Sequence, residues 1–327
     1  MSTLYLDRRD LQLTLAPGRL RIHAPAQAVS DVPLALLERL VILSNVVLDT
    51  SVLGALAEAG VAVLILSPRR HERLAILLGR AHNDLAVRLS QAEHLRNEAW
   101  CLAWTRRLVQ AKLRAQHRLA CTALLQRPDA RLALFQAAAN LQGILSKVGQ
   151  ATSIASLRGL EGAAAVAHFQ ALAALMPPEL GFGGRNRRPP RDPINAVLSL
   201  GYTLLHFEAV RAAHAAGLDP YLGFYHRPSF ARASLACDLI EPLRPWLDEH
   251  IWRLFAQRQL RADHFSYDRN ACLLDKAGRA HFYSAYEMLI RPARRALRRS
   301  TRQLAKALAG ELEMPIAEDV DEEAALS

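Results

Sequence analysis

Lysine, paired cysteine and long uncharged runs are all scarce in this chain, and each scarcity closes off a class of function. Cys101, Cys121, Cys237 and Cys272 lie far apart with no C-x-x-C pair, so a disulfide-stapled secreted module is excluded and reduced, mostly buried thiols of a cytoplasmic protein are expected. No uncharged segment approaches the roughly 18 residues that a membrane span needs. The first residues carry Asp7, Arg8, Arg9 and Asp10 without an apolar signal region, so neither secretion nor membrane insertion is expected. No fixed-period repeat occurs, which disfavours a helical solenoid. Lysine is confined to Lys112, Lys147, Lys276 and Lys306, so nearly all of the 41 basic residues are Arg. Arg grips phosphate bidentately, although codon bias gives the same ratio.

What is present is length, apolar content and positive charge. The 327 residues, 51% of them apolar, suffice for two cored domains. The formal charge of +10 understates the basicity of the folded part. Seven acidic residues, Glu311, Glu313, Glu318, Asp319, Asp321, Glu322 and Glu323, lie in a tail without Lys or Arg, leaving 41 basic against 24 acidic residues elsewhere. Such a surplus suits a polyanion such as nucleic acid; a high-Arg surface without a partner is the plain alternative.

The texture changes once along the chain. Leu4-Tyr5-Leu6, Leu11 to Leu15, a Pro17-Gly18 turn and Leu20 to His23 alternate with period two, as strands of a meander do. Val41-Ile42-Leu43 and Val46-Val47-Leu48 follow, then a helix over 51–59 closed by Gly60 and a buried strand over 61–66. Ser67 to Arg73 reads as a hinge. From about Ala81 the period becomes 3.6 and stays so to about Ala309. The expected class is therefore α+β: a β-rich domain over 1–74, a larger all-α domain over 75–310 and an acidic disordered tail over 311–327. Gly181 to Pro190 must be a long basic loop, and Leu273-Leu274, between turn signals, a short strand-like insertion.

Three distant stretches carry candidate ligands: Leu157-Arg158-Gly159-Leu160-Glu161-Gly162, Tyr225-His226, and Asp238-Leu239-Ile240-Glu241-Pro242. Carboxylates with one imidazole suit Mg²⁺ or Mn²⁺ and leave positions for water and phosphate. Asp238 and Glu241 are three apart after Ser234, a reasonable N-cap, so a helix there projects both from one face where a cation could bridge them. Pro242 and Pro245 conflict with a continuous helix. Taken singly, such a carboxylate is usually ion-paired and such a His locally hydrogen-bonded. Arg185, Arg187, Arg188 and Arg191 form a basic cluster fit for phosphate contacts. Arg227, directly after His226, and Arg244, a turn beyond Glu241, are placed to hold an attacked phosphate. Asn195 and Tyr202 could orient DNA; Tyr202 could equally be core.

The blocks at 157–165, 188–202, 217–220, 223–226 and 234–245, in that order, resemble the universal CRISPR-associated adaptation integrase, the first-numbered Cas protein family, over essentially the whole chain. The resemblance implies that Glu161, His226 and Glu241 bind a divalent metal, with Asp238 as an auxiliary ligand or as an acceptor behind the ligands. It implies an integrase and endonuclease that splices captured DNA into a CRISPR array by attack of a 3′-hydroxyl on a phosphodiester. It further implies double-stranded and branched DNA as partners, a homodimer formed through the β-rich domains, and a small ferredoxin-like adaptation partner, the second-numbered Cas protein. The basic spacer from Arg227 to Ala233 departs from that pattern and puts the loop path in doubt. A structure-selective metal nuclease acting on branched DNA in repair, and a DNA-binding scaffold without metal, are the alternative readings.

Overall fold

The structure, a computed structural model, describes residues 2–25, 27–67, 73–79, 85–186, 189–227, 229–230, 232–268 and 271–314. Two compact units follow one another in the chain, Met1–His82 and Asn83–Ser327.

The first unit holds two four-stranded sheets. One has the order β1 (Ser2–Leu6), β5 (Leu37–Ile42), β7 (Ala62–Leu66), β8 (Arg73–Leu77). The first three are parallel and β8 is antiparallel to β7. The other has the order β4 (Ser30–Pro33), β3 (Arg19–His23), β2 (Leu11–Ala16), β6 (Val46–Leu48). β3 runs antiparallel to both its neighbours. Of the expected meander only the β2–β3 hairpin holds, because β1 leaves it to pair with β5, and β4, which was not expected, extends it beyond β3. Parallel neighbours need a crossover; between β5 and β7 it includes α1 (Thr50–Glu58), after which Gly60 takes a φ of +71° that a side chain would oppose. β5 and β7 are almost wholly buried, which explains their continuous rather than alternating apolar runs. Leu6, Leu13, Leu20, Leu40, Val52, Leu56 and Val63 pack from both sheets and α1 into one core.

The compact unit extends eight residues past the boundary expected at residue 74, because β8 spans that point and is held to β7 by a ladder from Val63↔Leu77 to Leu66↔Arg73. Its Leu-Ala-Ile-Leu run is too short to separate strand from helix by period. Most of the expected hinge, residues 68–72, lies outside the described residues, as does most of the acidic tail.

The second unit is helical: α2 (Leu85–Arg96), α3 (Glu98–Gln126), α4 (Arg131–Val148), α5 (Ile154–Leu175), α6 (Pro193–Ala215), α7 (Ser234–Ile240), α8 (Arg244–Ala256) and α9 (Lys276–Leu308). β9 (Phe265–Asp268) and β10 (Ala271–Leu274) form the expected insertion as an antiparallel pair. Side-chain caps start several helices: Asn97 accepts from the Trp100 amide, Ser153 from Ser156, Asp192 from Asn195 and Asp275 from Gly278. α3, α4 and α5 share a core of Leu108, Leu113, Leu141, Val148, Leu157 and Ala164, into which Tyr225 also packs. Among the described residues no helix is long and apolar enough to cross a membrane.

Candidate functional site

Ser153 caps α5, and Leu157, Ala164 and Ala167 bury one face of it, which leaves Glu161 on the edge of that face, partly open to solvent. Glu241 reaches the same place from another element. α7 ends at Ile240, residues 241–243 form a turn, and Pro245 falls in the first turn of α8, where its missing N–H costs nothing. The two prolines are therefore accommodated by a break between helices instead of a kink. Ser234 is the first residue of α7, and its hydroxyl donates to the Arg227 carbonyl at 3.2 Å without capping the helix.

Between the two glutamates lies the Lys112 ammonium of α3, which donates to Glu161 and, at 2.6 Å, to Glu241. Lys112 is only 7% exposed. Sequence reading passed it over, yet it stands on the apolar stripe of α3 with Leu108, Ala115 and Leu119, where a cation needs a buried partner. Burial opposes the charge of Lys112, but Glu241 and Glu161 outweigh it and raise its pKa. Burial likewise opposes the charge of Glu241, yet Arg244, Lys112 and His226 hold its carboxyl well below the usual range. Arg244 Nε donates to Glu241 at 2.9 Å while its guanidinium lies 4.5 Å over the Tyr202 ring.

His226 arrives on the loop between α6 and α7. The buried Gln91 side chain pins the loop start, accepting from the Asp219 amide and donating to the Asp219 and Leu222 carbonyls. Gly223 lets the loop touch α7: a Cβ there would stand 2.5 Å from the Ser234 carbonyl carbon. Asp238, fully buried, closes the arrangement. One of its oxygens accepts the Phe224 and Tyr225 amides at 2.8 and 3.0 Å. The other accepts the His226 amide at 3.0 Å and its Nδ1 at 2.6 Å. A carboxylate only accepts, so Nδ1 carries a proton and donates it to Asp238, which turns Nε2 toward Glu241, 3.9 Å away. Asp238 does not share a face with Glu241 as an exposed pair; both its oxygens are taken by the loop. Burial, then Glu161 and Glu241, push the Tyr225 phenol upward, so it stays a donor, at 3.3 Å from Glu161.

The expected DNA-contacting residues divide. Asn195 is buried, accepting from Arg185 and the Asn186 amide and donating to Asp192 and the Gly184 carbonyl. The Tyr202 hydroxyl donates inward to Asp248, which His168 also binds at 2.8 Å. These two shape the 181–192 loop and the Arg244 shelf with their polar groups. Arg185 lies 5.5 Å from the Tyr202 ring and bonds Ser199, and Arg191 and Arg227 are exposed. Arg187 and Arg188 lie outside the described residues. Among the described residues no three His, Cys, Asp or Glu side chains are gathered closely enough to hold a metal ion. The point between Glu161 and Glu241 is taken by an ammonium instead.

Comparison with known proteins meets this geometry. Residues 4–288 match the family described as CRISPR associated protein Cas1. A curated relative, CRISPR-associated endonuclease Cas1 1 of Thermodesulfovibrio yellowstonii, is 36% identical over 301 residues, covering 90% of this chain and 93% of its own length. The fold matches a solved casposase bound to integration product, with a TM-score of 0.85 at 20% identity over 100% of this chain and 99% of that one. It also matches a Cas6-RT-Cas1–Cas2 complex, with a TM-score of 0.81 at 25% identity over 95% of this chain and 35% of that one. The chain belongs to the Cas1 family.

Proposed function

We propose that this protein is a divalent-metal-dependent DNA endonuclease and integrase that inserts captured DNA fragments as new spacers into a CRISPR array. The observation that carries the reading is that Lys112 bridges Glu161 and Glu241 while Asp238 aims the His226 imidazole, whose Nε2 lies 3.9 Å from Glu241. The donor set fits Mg²⁺ or Mn²⁺: two carboxylates and an imidazole, with a cation, the Lys112 ammonium, already favoured between the carboxylates. Glu161, His226 and Glu241 would hold the ion, and Asp238 would orient His226 from behind. Bound there, the ion would neutralise charge on the phosphoryl group and lower the pKa of an oxygen nucleophile.

The protein's own groups do the rest. The fragment's 3′-hydroxyl oxygen forms a bond to phosphorus as the bond to the array's 3′ oxygen breaks, so one phosphodiester replaces another and the hydroxyl proton ends on the departing strand. Arg244, clamped by Glu241 and Tyr202, and Arg227 would bind the attacked phosphate. Arg185, Arg187, Arg188 and Arg191 would grip the backbone without reading sequence. The working assembly would be a homodimer joined through the strand-rich units with a small ferredoxin-like second Cas protein; a solved complex whose name pairs Cas1 with Cas2 supports that partner.

The test is strand transfer with purified protein, Mn²⁺ or Mg²⁺, a supercoiled repeat-containing plasmid and 3′-hydroxyl fragments. Wild type yields metal-dependent branched products that Glu161→Ala and His226→Ala abolish. Cleavage of branched DNA without covalent transfer would favour a repair nuclease instead. Inactivity in both, even with the ferredoxin-like partner added, would remove the enzymatic reading.

A further inference from the structure

Glu161 in α5 and Glu241 in the turn after α7 meet with Glu241 buried and Glu161 only partly open to solvent, where two carboxylates repel and an uncompensated one is costly. Nothing in the local chain compels them to meet. Arg244 answers Glu241 alone, at 2.9 Å, and Tyr225 answers Glu161 alone, at 3.3 Å. Lys112 is the group that touches both. It rises from α3, whose neighbouring side chains Leu108, Leu113 and Gln116 are buried, so the long stem is packed and the ammonium is delivered to one point.

We propose that Lys112 is a built-in counter-cation that holds the two carboxylates together before metal arrives and competes with the metal for them. Resting on the metal-site reading above, this makes loading an exchange of one cation for another. A divalent ion between Glu161 and Glu241 would face an ammonium within a few ångströms, so Lys112 must withdraw, and the cost of withdrawal weakens apparent metal affinity. The benefit is a second unit that folds with its site assembled in the absence of metal. Lys112 is thus a positioning residue with a predicted sign: removing its charge strengthens metal binding while weakening the metal-free protein.

Mn²⁺ binding to the full chain without DNA, read from loss of the free-ion electron paramagnetic resonance signal, tests this on wild type, Lys112→Met, Lys112→Gln and Glu161→Gln. The expected result is Mn²⁺ affinity at least tenfold tighter in both Lys112 variants, with a lowered melting temperature before Mn²⁺ is added, and binding lost in Glu161→Gln. Lys112 variants at or below wild-type affinity, with binding lost in Glu161→Gln, overturn the proposal and leave the metal site standing. Equal binding, or none, in wild type and Glu161→Gln removes the metal-site reading and this proposal with it. Should both Lys112 variants misfold, reductive methylation of wild type decides: labelling of Lys112, followed by mass spectrometry, rises on adding Mn²⁺ if the ammonium is displaced, and unchanged labelling refutes displacement.

Discussion

Asp238→Asn is the sharpest test of how the histidine is aimed. Each Asp238 oxygen accepts two N–H groups: Phe224 and Tyr225 at one, and the His226 amide and Nδ1 at the other. An asparagine amide can be turned either way, but in both orientations an NH₂ faces one of these donor pairs. Facing Phe224 and Tyr225 it orphans two buried N–H groups; facing His226 it orphans that amide and drives the ring to its other tautomer, with the proton on Nε2; at about 1–3 kcal/mol for each orphaned N–H the cost is roughly 1–6 kcal/mol. In a unit of more than 200 residues each kcal/mol moves the melting temperature by about 2–4 °C, so a fall of roughly 2–24 °C is expected in calorimetry. At a temperature where the variant is still folded, strand transfer should drop by about 10- to 100-fold, the usual effect of losing the group behind a metal-ligating histidine. A variant melting within about 2 °C of wild type with full strand transfer would refute the claim that Asp238 builds the loop and orients His226.

Three further outcomes follow from the same geometry. Gly223→Ala places a methyl group 2.5 Å from the Ser234 carbonyl carbon and 2.7 Å from the Leu235 nitrogen, both backbone atoms, so the loop must leave α7; a loss of at least about 1–3 kcal/mol in urea melts is expected, with strand transfer lost as well. Tyr202→Phe takes from Asp248, 1% exposed, one of its two side-chain donors; the urea midpoint should fall by the equivalent of about 1–3 kcal/mol, and an unchanged midpoint contradicts the role given to that hydroxyl. Burial, with Asp192 nearby, pushes the Cys272 thiol up to about 11 against a hydrogen bond from Tyr267 that lowers it. Roughly one thiol in a thousand is then ionised at pH 8, and iodoacetamide should label Cys272 only after denaturant is added.

How much of this was legible in the chain differs from element to element. The change from period two to period 3.6 announced a strand-rich unit before a helical one, since alternation and helical stripes are local consequences of burying one face. Gly60 closes its helix as expected, but the caps Asn97, Ser153, Asp192 and Asp275, each bonding three residues on, were not expected, and Ser234, the one cap expected, does not cap α7. The parallel pairing of β1 with β5 left no such mark, because it joins residues more than thirty apart and is decided by which sheet can bury Leu4 and Leu6.

The site divides in the same way. The sequence by itself singled out the candidate ligands, Glu161, His226 and Glu241, the resemblance that joined them, and the basic stretch near Arg185. Only the tertiary structure decided that Asp238 turns inward to four N–H groups, that Asn195 and Tyr202 bond inward to Asp192 and Asp248, and that Lys112 stands between the glutamates. The physical reason is the range of the forces involved. Propensity, capping and amphipathic stripes act over a few residues, whereas the partner of a buried charge is whichever group the packing of distant helices brings within about 3 Å, and no local pattern encodes that distance.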